Sequence, residues 1–134
     1  MSRFIGTLEL DYMRDADGKF LTNPDGRQLF ILDKPFSYQS DLLGCIVTVP
    51  RGFISDLASI PRLPIIYLLL NGIADQAGVI HDWLYSTGLV PRDKADAVLR
   101  EACLVLGVSA WKAAIIHAGV SWFGGSHYGA DYRV

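Results

Sequence analysis

Residues 75–88, Asp-Gln-Ala-Gly-Val-Ile-His-Asp-Trp-Leu-Tyr-Ser-Thr-Gly, mark the point where the chain changes period. Ala77, Ile80 and Leu84 recur at helical spacing, His81 and Tyr85 fall in the same stripe, and Gly88 supplies a stop. The stripe turns His81 inward and puts Asp82, about 100° further round, at its edge. An ionisable ring aimed at a core needs a partner, because an unpaired buried polar group costs about 1–3 kcal/mol. That partner belongs either to a structural network or to a chemical site.

Upstream of this helix the punctuation is that of β structure. Phe4 to Leu10 alternates in part, Leu29 to Leu32 is a short buried-strand run, and Cys45 to Val49 is rich in β-branched residues. Asp17-Gly18 and Asp25-Gly26 are turn signals between them. Pro35 signals an edge or break, after which Phe36 to Tyr38 resumes in extended form. Pro50 to Pro61 reads as a proline-bracketed loop in which Gly52 permits an unusual backbone angle and Asp56 or Ser59 can cap a short turn. Leu63 to Leu70 reads as a short buried helix, with a partner-facing surface as the alternative. Downstream, Pro91 to Leu106 forms a second long helix stopped by Gly107, and Ser109 to Phe123 a third, ended by Gly124-Gly125. The expectation is one α+β domain over residues 1–134: an antiparallel β-rich part (1–50), the loop and short helix (51–72), a three-helix part packed on the sheet (73–123) and a tail (124–134).

Bulk properties narrow the function classes. With 51% hydrophobic and 19% charged residues the chain carries enough apolar surface for a core, which excludes disorder. The net charge of −2 and the lack of any Lys/Arg cluster exclude sequence-independent nucleic-acid binding, which requires phosphate neutralisation. Cys45 and Cys103 form no zinc-type pair and are expected as two buried free thiols. Leu63 to Leu70 is short and carries Pro64, and Ala113 to Phe123 contains His117, so no membrane span is expected. Nor does the start read as a signal peptide; the expectation is a soluble protein made in the cytoplasm.

The polar residues in apolar settings carry the chemistry. Asp96 borders the stripe Ala95, Val98, Leu99, Ala102 and Leu106 on the second long helix, with Arg92 four residues earlier to pair with it. Asp56 is a third carboxylate in apolar surroundings. His81 with Asp56, Asp82 and Asp96 would make an N/O ligand set for a divalent metal such as zinc or manganese. Equally, Asp56 or Asp96 would hold the second nitrogen of His81 and fix its tautomer for general-base work, with Asp82 and Tyr85 in catalytic roles and Arg92 and Ser59 orienting. Against both stands a scaffold: a core histidine held by an aspartate, with Arg92–Asp96 as a helix pair. Tyr85 is by default a core aromatic whose hydroxyl reaches the surface, and His117 a core or groove histidine. Trp111, Trp122, Phe123 and Tyr128 make an aromatic-rich end, core by default and a docking surface if exposed.

Three motifs fail on inspection. His-Asp phosphohydrolases need an upstream histidine, and His81 is the first in this chain. Secreted phospholipases share His-Asp-x-x-Tyr but need a glycine-rich calcium loop and many disulfides. The segment Ser126 to Asp131 is similar to a zinc motif of some peptidoglycan peptidases, yet its His127–Asp131 spacing is too short.

Three blocks in order, Pro50-x-Gly52-Phe53-x-Ser55-Asp56-x-Ala58-Ser59-Ile60-Pro61, Ala77-x-x-Ile80-His81-Asp82-x-Leu84-Tyr85 and Arg92-x-x-Ala95-Asp96, resemble the phage-associated family of unknown function numbered 1353. The resemblance covers about residues 45 to 110. It implies a bacteriophage or prophage origin and singles out Asp56, His81, Asp82, Arg92 and Asp96. A phage context makes cell-envelope material, peptidoglycan peptide or lipid, the natural substrate of a metal-assisted hydrolase. It equally accommodates a virion component at a tail or baseplate, made in the host bacterial cytoplasm, with other phage structural proteins as partners and the polar set only stabilising the core. An inhibitor or adaptor acting on a host protein is a third expectation.

Overall fold

A computed structural model describes residues 1–24, 26, 28–56 and 75–123. Their architecture is α+β: two small antiparallel sheets in the N-terminal half, followed by three helices. One sheet orders the strands β1 (Arg3–Ile5), β4 (Phe36–Ser40) and β5 (Cys45–Val49) as β1-β4-β5. The other orders β2 (Leu10–Tyr12), β3 (Phe30–Leu32) and β6 (Ile54–Ser55) as β2-β3-β6. The helices are α1 (Asp75–Thr87), α2 (Arg92–Val105) and α3 (Ala110–Phe123).

Alternation along β4 places the core. Phe36, Tyr38 and Ser40 are buried while Ser37 and Gln39 are not, the period-2 pattern of a strand with one covered face. The register Phe36↔Val49 and Tyr38↔Val47 adds Val49 and Val47 to that face. Phe4 of β1 packs its ring against Phe36 and Tyr38, with centroids 5.6 and 4.7 Å apart. Pro35 falls just before β4, so the missing N–H costs that strand nothing internally.

The structure corrects three expectations. The Phe4 to Leu10 run is not one strand: Gly6 adopts φ +84°, which ends β1, and β2 joins the other sheet. The Pro50 to Pro61 segment is not all loop. Gly52, at φ +87°, turns the chain so that its N–H donates to the Leu32 carbonyl (2.9 Å), and Ile54 and Ser55 then pair with Ile31 and Phe30 as β6. Cys45 is exposed, because it opens β5 at the hairpin end of the sheet, next to the turn through Gly44. The expected short helix within Leu63 to Leu70, Ser59 and the tail with His127 lie outside the described residues.

Helix bounds follow the stop signals: α1 ends just before Gly88 (φ +60°), and α2 begins after Pro91 and closes on Gly107 (φ +90°). α2 packs against both α1 and α3, and α1 against β5 and β6. Ile80 and Leu84 of α1, Val98 and Leu99 of α2, and Ile116 and Val120 of α3 join Leu32, Phe36, Tyr38 and Val49 in one buried cluster. Among the described residues no helix is long and apolar enough to cross a membrane.

The two thiols are expected to separate cleanly. Cys103 of α2 is buried in the core cluster, and burial pushes its thiol up to about 12, whereas Cys45 is exposed. Only a thiolate attacks a disulfide reagent. Titration of the folded chain with such a reagent at mildly alkaline pH is expected to label one thiol promptly and the second only in denaturant. Two prompt thiols would contradict the packing of α2.

Candidate functional site

The inward stripe of α1 meets the first turns of α2, and a polar network forms where they touch. His81 Nε2 lies 2.9 Å from Asp96 Oδ1. Tyr85, one turn along α1, donates its hydroxyl to the same carboxylate oxygen. The two rings lie 4.1 Å apart between centroids and are tilted by 43°, as neighbours at i and i+4 on one helix face. Arg92, one turn before Asp96 on α2, holds its Nε 3.9 Å from Asp96 Oδ2 and 3.4 Å from the Tyr85 hydroxyl. Its Nη2 donates to the backbone carbonyls of Val120 and Ser121, at 2.9 and 2.6 Å. A cation at the carbonyl-rich end of α3 also meets the favourable end of that helix dipole. Four side chains thereby bind three helices together.

His81, Tyr85 and Asp96 are buried, and Arg92 is a third exposed. The Tyr85 hydroxyl does not reach the surface as expected, since its stripe faces α2 rather than solvent. Burial and then the hydrogen bond to Asp96 raise its phenol above the ordinary value, so it stays a donor through the neutral range. With the carboxylate accepting, Nε2 carries a hydrogen, and in the neutral ring Nδ1 then bears the lone pair. Nδ1 is buried and has no hydrogen-bond partner among the described residues. An oriented imidazole with one engaged and one bare nitrogen is the arrangement of a general base, and of a metal ligand held from behind.

The other two carboxylates serve different partners. Asp82 accepts a hydrogen bond from Ser55 Oγ at 2.5 Å, joining α1 to β6. Asp56 accepts from Asn23 Nδ2 at 3.1 Å through Oδ2, while its Oδ1 is buried without a hydrogen-bond partner among the described residues. Successive residues of an extended chain point to opposite sides, so Ser55 turned toward α1 directs Asp56 away from it. Asp96, not Asp56, holds His81. Among the described residues no group of three or more His, Cys, Asp or Glu side chains is placed to hold a metal ion, so His81, Asp56, Asp82 and Asp96 are not gathered into one ligand set.

Sequence reasoning missed Ser55, Asn23 and Glu101. Glu101, on α2, accepts from the Tyr38 hydroxyl (2.7 Å) and Ser40 Oγ (2.8 Å) at Oε1 and from the Leu42 N–H (2.9 Å) at Oε2. No local signal separates it from a solvated helix glutamate. His117 of α3 is half-buried.

Comparison with known proteins adds one finding. A family model described as "Protein of unknown function (DUF1353)" matches residues 30–120, a span that contains the side chains His81, Tyr85, Arg92 and Asp96. No curated protein and no solved structure matches the chain.

Proposed function

The chain belongs to the DUF1353 family of proteins of unknown function, and on that footing we propose that it is a phage- or prophage-encoded hydrolase in which His81 is the general base. The observation that carries this reading is the asymmetry of the imidazole: Nε2 is engaged by Asp96 at 2.9 Å, and Nδ1 is left without a hydrogen-bond partner among the described residues. Asp96 fixes the ring and its tautomer, and stabilises the imidazolium that forms when Nδ1 takes a proton from water. The water oxygen then bonds to a carbonyl carbon of peptidoglycan peptide or lipid ester. The bond to the leaving group breaks, and the imidazolium returns its proton to that group. Tyr85 and Arg92 hold Asp96 in place rather than touching substrate.

The complete burial of His81 and the tie from Arg92 to the α3 carbonyls favour a second reading, a virion or assembly component whose polar set locks the helices. The test is release from purified sacculi and from lipid esters by the full chain, with and without zinc or manganese. His81→Gln is expected to lose about 100- to 10,000-fold of the rate with an unchanged circular dichroism spectrum. Asp96→Asn is the companion variant, since both donors converge on one oxygen that the amide retains. A wild-type chain that releases nothing under any of these conditions ends the catalytic reading. Mass spectrometry of purified phage particles then decides the structural one.

A further inference from the structure

The outer side of α3 carries an apolar stripe whose spacing is the same in both directions, and we propose that two copies of the chain pair through it, antiparallel, about a two-fold axis. α3 buries Ala113, Ile116 and Val120 within the protein, yet exposes Trp111 (59%), Ile115 (38%) and Trp122 (78%). At 100° per residue, Trp111, Ile115, Ala118 and Trp122 fall within an arc of about 60°, on the side opposite the buried set. Their 4-3-4 spacing is that of a seam between two helices.

The symmetric spacing is compatible with a second copy as the occupant. A two-fold interface requires that residue i meet residue j and j meet i. Reversing α3 about the midpoint between Ile116 and His117 sets Trp111 against the partner's Trp122, and Ile115 against the partner's Ala118. Large side chains then meet small ones at the centre, and the indoles close the two ends. Lys112, whose Nζ lies 5.5 Å over its own Trp111 ring, comes opposite the partner's Ser121, so no like charges meet. At their observed exposure the two indoles leave on the order of 300 Å² uncovered per copy, taking 150–250 Å² per aromatic ring. Two copies give about 600 Å² from indoles alone, more than half of the roughly 1,000 Å² that a specific interface clears.

Sedimentation equilibrium of the full chain, from low micromolar to several hundred micromolar, is expected to approach twice the 14.8 kDa chain mass. Ile115→Lys is expected to weaken the association at least about 100-fold, because it sets a charge at the centre of the seam, without altering the circular dichroism spectrum. In a Cys45→Ser background, chains carrying Ile115→Cys and Ala118→Cys are expected to cross-link to each other faster than either does to itself. A monomer at every concentration overturns the proposal, whether or not the chain's own C-terminal residues or another protein cover the stripe. A dimer indifferent to Ile115→Lys, or self-links that form as fast as mixed ones, overturns it equally.

Discussion

Replacing Asp96 with alanine is expected to lower the unfolding free energy by about 3–5 kcal/mol, the range for breaking a buried ionic network by removing one partner. The carboxylate is the common acceptor for His81 and Tyr85 and lies beside Arg92. Its loss strands two buried donors, each costing about 1–3 kcal/mol, and leaves a void between α1 and α2. For a domain of this size the melting temperature is expected to fall by roughly 10–15 °C. Asp96→Asn keeps an oxygen where both donors point and is expected to cost no more than about 2 kcal/mol, the loss being chiefly the attraction to Arg92. Urea unfolding with an unchanged m value measures both. If the alanine variant loses less than about 1 kcal/mol, these helices are not held by this carboxylate.

Glu101→Ala is the second large loss, at about 2–4 kcal/mol, since three donors rely on this one side chain: the Tyr38 hydroxyl, the Ser40 hydroxyl and the Leu42 N–H. Tyr38 and Ser40 are buried, so their two hydroxyls bear most of the loss, whereas the Leu42 N–H lies in an exposed contact that water can take over. Glu101→Gln retains an acceptor for the two hydroxyls and is expected to fall between. The same contact sets an alkaline limit. Burial, and then the hydrogen bond to Glu101, raise the Tyr38 phenol above its ordinary value of 10.0. Between that value and the raised one, the unfolded chain releases a proton that the folded chain keeps, so stability is full below about pH 10 and declines above it. Tyr85 contributes in the same sense. Glu101→Ala is expected to make the alkaline decline shallower, measurable as the change of unfolding midpoint between neutral and strongly alkaline pH. An unaltered slope would remove Glu101 from the account.

Legibility in the sequence followed the range of each interaction. α1 was readable because its apolar spacing, its stop at Gly88 and its inward histidine are all local, and β5 because five β-branched or apolar residues stand between turn signals. β6 was not: two residues pair with a strand more than twenty positions earlier, and flanking prolines disguise them as loop. The His81 partner was narrowed to Asp56 or Asp96. Helical phase puts Asp96 on the right edge of α2, but no local pattern tells which way the chain points after Ser55. The expected convergence of Asp56 and Asp82 failed for that reason. Glu101 was invisible because the residues it serves lie 59 to 63 positions away, where neither periodicity nor capping carries information.

Arg92 has a mechanical consequence. Its guanidinium grips the last carbonyls of α3 on one side and stands against Asp96 and Tyr85 on the other. Truncating Arg92 is therefore expected to loosen both the end of α3 and the carboxylate that aims the imidazole. The helix terminus and the carboxylate beside the ring thus share one guanidinium as their common contact.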